Sequence, residues 1–209
     1  MANYIQKLIS QGEHQHLDFK YKISDAHQIS KSFAAFANAS GGKLLIGVND
    51  NGVITGLRNE EELYLVNAAG SYYCIPPVSY NMCGWEWKGK TVLEVNIPEG
   101  TQKPYYAKRK NKPPTAYIRI ADRNIKVCSV QLMVWEKQKN PTGLFIGDAD
   151  DIRWLLSLLE KYPKISIVTV CRLLMISYQT AVRLLADLVY LNILEIEYQN
   201  DRVFFRTKK

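Results

Sequence analysis

The sequence predicts an α+β protein of two domains, a mixed-sheet domain over residues 1–139 and a smaller, mostly helical one over 147–209. Three observations carry this. Helical and strand periodicities follow one another irregularly through the first two thirds of the chain. Lys43-Leu44-Leu45-Ile46-Gly47-Val48 is a nearly continuous apolar run, as expected of a central strand covered on both faces. From Asp150 the pattern changes to three helical segments followed by two strands, after the turn-forming stretch Asn140-Pro141-Thr142-Gly143.

The elements follow in order. Tyr4, Ile5, Leu8 and Ile9 recur at helical spacing, and Gly12 closes that helix. A strand then places Leu17 and Phe19 on one face and His16, Asp18 and Lys20 on the other. Ser24 and Asp25 offer an N-cap for a helix carrying Ile29, Phe33, Phe36 and Ala37, which Gly41-Gly42 ends. After the central strand, Asn49-Asp50-Asn51-Gly52 signals a tight turn returning into Val53–Leu57. Glu60, Glu61 and Glu62 suit the positive first turn of a helix running to about Tyr73. Strands are expected over 78–83, 85–87 and 91–97, then around a basic loop, Lys108–Pro114, and on to Ile120, with a short helix from Ser129 to Lys137.

In the second domain, helices are expected over Asp150–Lys161, Val168–Leu174 and Tyr178–Leu191, and strands over Leu194–Gln199 and Arg202–Thr207. Helix, helix, turn, helix, hairpin is the order of a winged helix-turn-helix. Its third helix would face bases and phosphates with Tyr178, Gln179, Thr180 and Arg183, and its wing would bring Arg202 and Arg206 to the backbone. Winged helices also dock proteins, and Ser177 is a helix cap under either use.

The net charge is +7, and it is uneven: residues 146–209 hold 9 basic and 8 acidic residues, so the rest of the chain nets +6. That excess suits a phosphate-bearing partner. It is densest over 103–126, where Lys103, Lys108, Arg109, Lys110, Lys112, Arg119, Arg123 and Lys126 face one acid, Asp122. Tyr105, Tyr106 and Tyr117 are interleaved there; stacking on unpaired bases and ordinary strand packing both fit them. No stretch approaches the roughly 20 apolar residues of a membrane span, and the start lacks the pattern of a signal peptide. The four cysteines form no Cys-x-x-Cys pair, which suits reduced thiols in the cytoplasm. Gly41-Gly42-Lys43 lacks P-loop spacing, no Gly-x-Ser-x-Gly is present, and His14 and His16 alone make no metal site.

The run Glu13-His14-Gln15-His16-Leu17-Asp18-Phe19-Lys20, then Ser32 through Gly52 with Ala35-Phe36-Ala37-Asn38, Gly41-Gly42 and Ile46-Gly47-Val48-Asn49-Asp50, then Ile54-Thr55-Gly56-Leu57, resembles the Schlafen AlbA-type family of DNA-binding domains. Lys103-Pro104-Tyr105 and Tyr117-Ile118-Arg119 resemble its later, weaker motif. Where the family often has Arg-x-Gly-Ser, this chain has Arg119-Ile120-Ala121-Asp122. The resemblance covers about residues 5–130. It implies a mixed α/β fold and, in bacterial members, a transcriptional regulator with an attached helix-turn-helix.

Schlafen proteins that cleave RNA use three carboxylates around divalent metal. The matching positions here are Glu13, Asp18 and Asp50, so the resemblance also implies an alternative, a nuclease using Mg²⁺ or Mn²⁺ on RNA or single strands. The residues have other readings too. Asp50 suits a turn, Asp18 a pair with Lys20 or Lys43, and Glu13 a solvated position. The expectation is therefore a nucleic-acid-binding regulator without a cofactor, favouring DNA over RNA and acting as a homodimer on paired half-sites. The alternatives are the nuclease and a protein-interaction module.

Overall fold

The computed structural model describes residues 4–141, 149–200 and 202–208, with the backbone alone at Arg109, Ala149 and Asp151. The chain divides into two compact units, Met1–Lys126 and Val127–Lys209.

In the first unit, α1 (Tyr4–Ile9) precedes β1 (Leu17–Lys20), α2 (Ala26–Asn38) and β2 (Gly42–Ile46). Then come α3 (Glu61–Ser71), the short β3 (Cys74–Ile75), and the hairpin β4 (Asn81–Trp87) and β5 (Lys90–Ile97). β6 (Tyr106–Arg109), β7 (Lys112–Ile120) and β8 (Arg123–Lys126) complete it. One sheet has the order β1-β2-β5-β4, with β1 and β2 parallel and the other pairs antiparallel; the other runs β3-β6-β7-β8. The parallel pair is joined through α2, as a parallel connection requires.

Period-2 alternation in β1 and β2 divides the core. Leu17, Phe19 and Leu45 join Ile5 of α1 on one face. Leu44 and Ile46 pack with Ile29, Phe33 and Phe36 of α2 on the other. α2 is therefore almost wholly buried, which places Asp18 and Lys20 on its side of β1. Asp25 caps the helix, accepting from His27 N at 2.8 Å. At its other end, buried Asn38 donates to the carbonyls of Tyr105 (2.7 Å) and Tyr117 (2.8 Å) and accepts from Tyr105 N–H (2.8 Å). The Ala-Phe-Ala-Asn motif is thus the bolt between α2 and the second sheet.

The Gly-Gly turn has a similar steric reason. Gly41 sits at φ +74, and a Cβ there would meet Glu99 N and Ile97 O at 2.8 Å. Only glycine meets both demands without strain.

Several expected elements differ. The strands expected over 78–83 and 85–87 form a single β4, because Gly84 continues the ladder opposite Leu93. The return strand over 53–57 is reduced to one bridge, Val48 to Ile54. The basic loop is largely strand: Arg109 pairs with Lys112, leaving the two-residue turn Lys110-Asn111, with Asn111 at φ +53. β8 was not expected, since it carries one apolar residue, Ile125, in four.

The second unit contains α4 (Ser129–Lys139), α5 (Ala149–Lys161), α6 (Ile167–Leu174), α7 (Tyr178–Tyr190), and the antiparallel hairpin β9 (Leu194–Gln199) and β10 (Arg202–Thr207). Its core holds Leu155, Leu159, Val170, Leu184, Leu185, Leu188 and Phe205. α4 contributes Val130 and Val134 to that core, so it groups with this unit and not with the first domain, whose expected end was residue 139. The segment beyond Pro141 and the hairpin residue Asp201 lie outside the described residues. No single described helix is long and apolar enough to cross a membrane.

Candidate functional site

Two sets of residues in the first unit were candidates: the acidic trio and the basic segment. The fold brings part of each together, in an unexpected combination.

Asp18 is 3% exposed on β1 and accepts from Ser32 Oγ of α2 at 3.2 Å. Lys20 Nζ lies 2.9 Å from one of its oxygens and Arg119 Nη2 3.3 Å from the other. Arg119, expected on the nucleic-acid surface, is 1% exposed. It also donates to Leu17 O at 3.1 Å and to Asn124 Oδ1 at 3.1 Å, and it lies 5.2 Å from the Phe36 ring centroid. Asn124 donates onward to Ser32 Oγ at 3.0 Å. Gln15 completes the joint, donating to Arg119 O at 2.7 Å and accepting from Ala121 N at 2.8 Å. Arg119 is therefore not available to a ligand; it ties β7 and β8 to β1.

Glu13 meets the same cluster. Its Oε1 accepts from Phe19 N at 2.8 Å. Burial, and then a hydrogen bond with the Asp18 carboxylate, push its carboxyl above its usual range. Asp50 does not join them. It is exposed in the turn after β2. Among the described residues no three His, Cys, Asp or Glu side chains are grouped to hold a metal. The donor set does not fit Mg²⁺ or Mn²⁺ either. Those ions want several unencumbered oxygens, whereas Asp18 is already matched by a guanidinium and an ammonium. Lys43, the other expected partner of Asp18, pairs instead with Glu94, which also accepts from Trp85 Nε1 at 2.8 Å.

The remaining cations divide by environment. Lys103 Nζ is held by Ala39 O at 3.0 Å and Glu99 at 2.6 Å. Lys108, Lys110 and Lys112 are exposed around the β6–β7 turn, with no carboxylate at ion-pair distance among the described residues. Arg123 is exposed on β8. The side chain of Arg109 lies outside the described residues.

A second basic surface, missed in the sequence, lies at the β1–α2 loop. A cleft of about 230 Å³ there is lined by Lys20, Lys22 and Lys31 with Gln28, Ser32 and Asn124. The lysines are scattered among apolar and polar residues, so no charge run announces them. Glu62, 3% exposed, fixes this loop by accepting from Ile23 N at 2.8 Å and Arg58 N at 2.9 Å.

In the second unit, Ser177 caps α7, accepting from Thr180 N at 3.1 Å, and its hydroxyl meets Thr180 Oγ1 at 2.8 Å. Thr180 is thus engaged in the cap. Tyr178 is 51% exposed, its hydroxyl 3.3 Å from Ser129 Oγ, while Gln179 and Arg183 are exposed. On the hairpin, Arg202 is exposed, but Arg206 Nε is paired with Glu195 at 2.6 Å and Glu197 at 3.5 Å.

Comparison with known proteins places this geometry. No protein of curated function matches the chain. Among solved structures, it is similar to the DIP2311 protein of Corynebacterium diphtheriae, at 19% identity and a TM-score of 0.46 over 62% of this chain. It spans only 25% of that protein's length. It is also similar to the N-terminal domain of a RecG-related protein from Nitrosomonas europaea, at 28% identity and a TM-score of 0.41, over 57% of this chain and 90% of that domain. The Schlafen, AlbA_2 family matches residues 13–128, a span running from the Glu13 that meets Asp18, through the Asn38 bolt and Arg119, to the edge of the second unit. That is more than half of the chain, and the protein belongs to this family.

Proposed function

We propose that the protein binds nucleic acid and serves as a DNA-binding transcriptional regulator in the cytoplasm. The observation that carries this is the β6–β7 turn, which presents Lys108, Lys110 and Lys112 to solvent without a carboxylate partner among the described residues. Cations placed this way release counterions when they meet phosphates. Membership of the Schlafen, AlbA_2 family supports the same reading.

The second unit would act as a winged helix, with α7 as its recognition helix. Groove contact then falls to Gln179 and Arg183, since Thr180 is engaged in the cap and Arg206 is paired with glutamates. Gln reads adenine and Arg reads guanine or phosphate. This favours duplex DNA over RNA, read by two copies on paired half-sites. A second reading, docking of a protein by this unit, is favoured by exposed apolar residues at α6 and its C-terminal end, Met175 at 91% and Val168 at 70%.

The test is a titration of labelled duplex DNA and stem-loop RNA across a salt series, with and without Mn²⁺. Duplex binding should weaken steeply with salt. Replacing Lys108, Lys110 and Lys112 by Ala should flatten the slope by up to about 0.9 per lost phosphate contact. An unchanged slope removes the turn from the interface. Absence of binding at physiological salt favours protein docking, and Mn²⁺-dependent cleavage would restore the nuclease alternative.

A further inference from the structure

We infer that the first unit holds single-stranded nucleic acid along a track around the β1–α2 loop, phosphates on Lys22 and Lys31 and bases against Tyr64 of α3 and Tyr72 at its C-terminal end. The inference rests on the nucleic-acid reading above and names the form of the ligand at a site which that reading does not use.

Three clefts meet at this loop. The basic cleft shares Lys22, Ile23 and Ser24 with a second, lined by Arg58 and Asn59. It shares Ser24 and Asp25 with a third, of about 440 Å³, lined by Tyr64, Tyr72 and Tyr73. The surface is therefore continuous from the lysines to the tyrosines. Of its acids, Asp25 caps α2 and Glu62 accepts from two backbone N–H groups, while Glu61 lines the second cleft and is exposed. Apart from Glu61, what faces a ligand is cationic at one end and aromatic at the other.

Tyr73 packs against the core, but the other two tyrosines do not. Tyr64 is 70% exposed and Tyr72 71%. Two large rings left in water beside a cationic cleft suit stacking on unpaired bases, which needs no sequence readout because every base has a π-face. Duplex DNA hides those faces and would leave the tyrosines unused. Tyr73 continues the track, its ring tilted at 55° against that of His27 with centroids 4.1 Å apart and its carbonyl accepting from Lys108 N at 2.8 Å. The lining thus leads from the β1–α2 loop to the cationic β6–β7 turn, a path a flexible strand can follow.

The experiment is fluorescence anisotropy of the full chain with labelled oligo(dT), oligo(rU) and a duplex of matched length, at one salt concentration. Tyr64→Ala with Tyr72→Ala should weaken binding of both single strands by about 30-fold or more, from ~1 kcal/mol or more for each of two stacked bases, and leave duplex affinity unchanged. Tyr64→Phe with Tyr72→Phe keeps both rings and should bind as the parent protein does. Lys22→Glu with Lys31→Glu should weaken single strands more than duplex. The inference is overturned if the Ala pair binds single strands normally, if the Phe pair loses as much as the Ala pair, or if duplex and single strands weaken in parallel. A parent protein that binds duplex but no single strand overturns this inference alone; one that binds neither overturns the functional reading as well.

Discussion

Arg119→Met is the perturbation that most directly separates a structural arginine from a ligand-binding one. The substitution keeps an unbranched chain against Phe36 but deletes the guanidinium. Asp18, 3% exposed, would then keep Lys20 at 2.9 Å, Ser32 at 3.2 Å and the Glu13 carboxyl, and Leu17 O and Asn124 Oδ1 would lose their donor. Removing one partner of a buried ion pair costs about 3–5 kcal/mol. The surviving Lys20, whose side chain is 36% exposed, moves the expectation toward the lower half of that range. With a urea m-value of about 2 kcal/mol/M, the midpoint should fall by about 1.5–2 M. Urea titration read by hydrogen exchange at β1 and α2 amides reports the first unit separately from the second. Adding Asp18→Asn should return part of the loss, with a coupling of about 1–3 kcal/mol, because the orphaned charge is gone. A midpoint within about 0.3 M of the parent, accompanied by weaker nucleic-acid binding, would refute the structural assignment.

Two further outcomes follow from the same joint. Ala121 occupies the left-handed region, φ +53, in the turn between β7 and β8. A non-glycine residue there costs roughly 1–2 kcal/mol, offset in part by the extra freedom glycine gives the unfolded chain; Ala121→Gly should therefore raise stability by about 0.5–1 kcal/mol in urea titration, and a loss would show that the turn is set by something other than its backbone. Glu13 has a folded pKa raised above 4.5, first by burial and then by Asp18. Its contribution to stability is therefore present below that value and lost as pH rises through the raised one. Glu13→Gln keeps a donor and an acceptor but cannot ionise, so its stability relative to the parent should increase as pH rises from 4.5, and a pH-independent difference would refute the assignment.

Much of the architecture was readable because it follows local rules. The alternation of Leu17 and Phe19 against Asp18 and Lys20 gave the two faces of β1, and Ser177 marked the start of α7 within a residue. What could not be read depends on partners far along the chain. Arg119 stands among seven other basic residues and looked like part of a surface stripe. Its acid, Asp18, lies 101 positions away, and no periodicity encodes that meeting. The departure at Ala121, where the family often has glycine, was visible, but its meaning was not. A position requiring φ > 0 is a fact about the turn, and the turn exists only once β8 pairs with β7. The clefts around the β1–α2 loop were invisible for the same reason, since Lys22 and Lys31 flank one helix start while Tyr64 lies on another helix and Tyr72 just past its end.

The acidic trio shows why a matching residue pattern is weaker than a matching charge balance. A metal site needs negative charge in excess of its own cations. Here the buried cluster holds the Asp18 carboxylate and a Glu13 carboxyl whose proton affinity is raised, against Arg119 and Lys20. The cations already meet or exceed the anions, so a divalent ion beside Asp18 would stand within a few ångströms of a guanidinium in a medium that screens poorly. Asp50, the one member free of such pairing among the described residues, is out in the turn. The same cluster that disfavours hydrolysis fixes β7 and β8 on β1. It thereby sets the β6–β7 turn and the β1–α2 loop on a rigid base, where exposed lysines can act on phosphates without first being ordered.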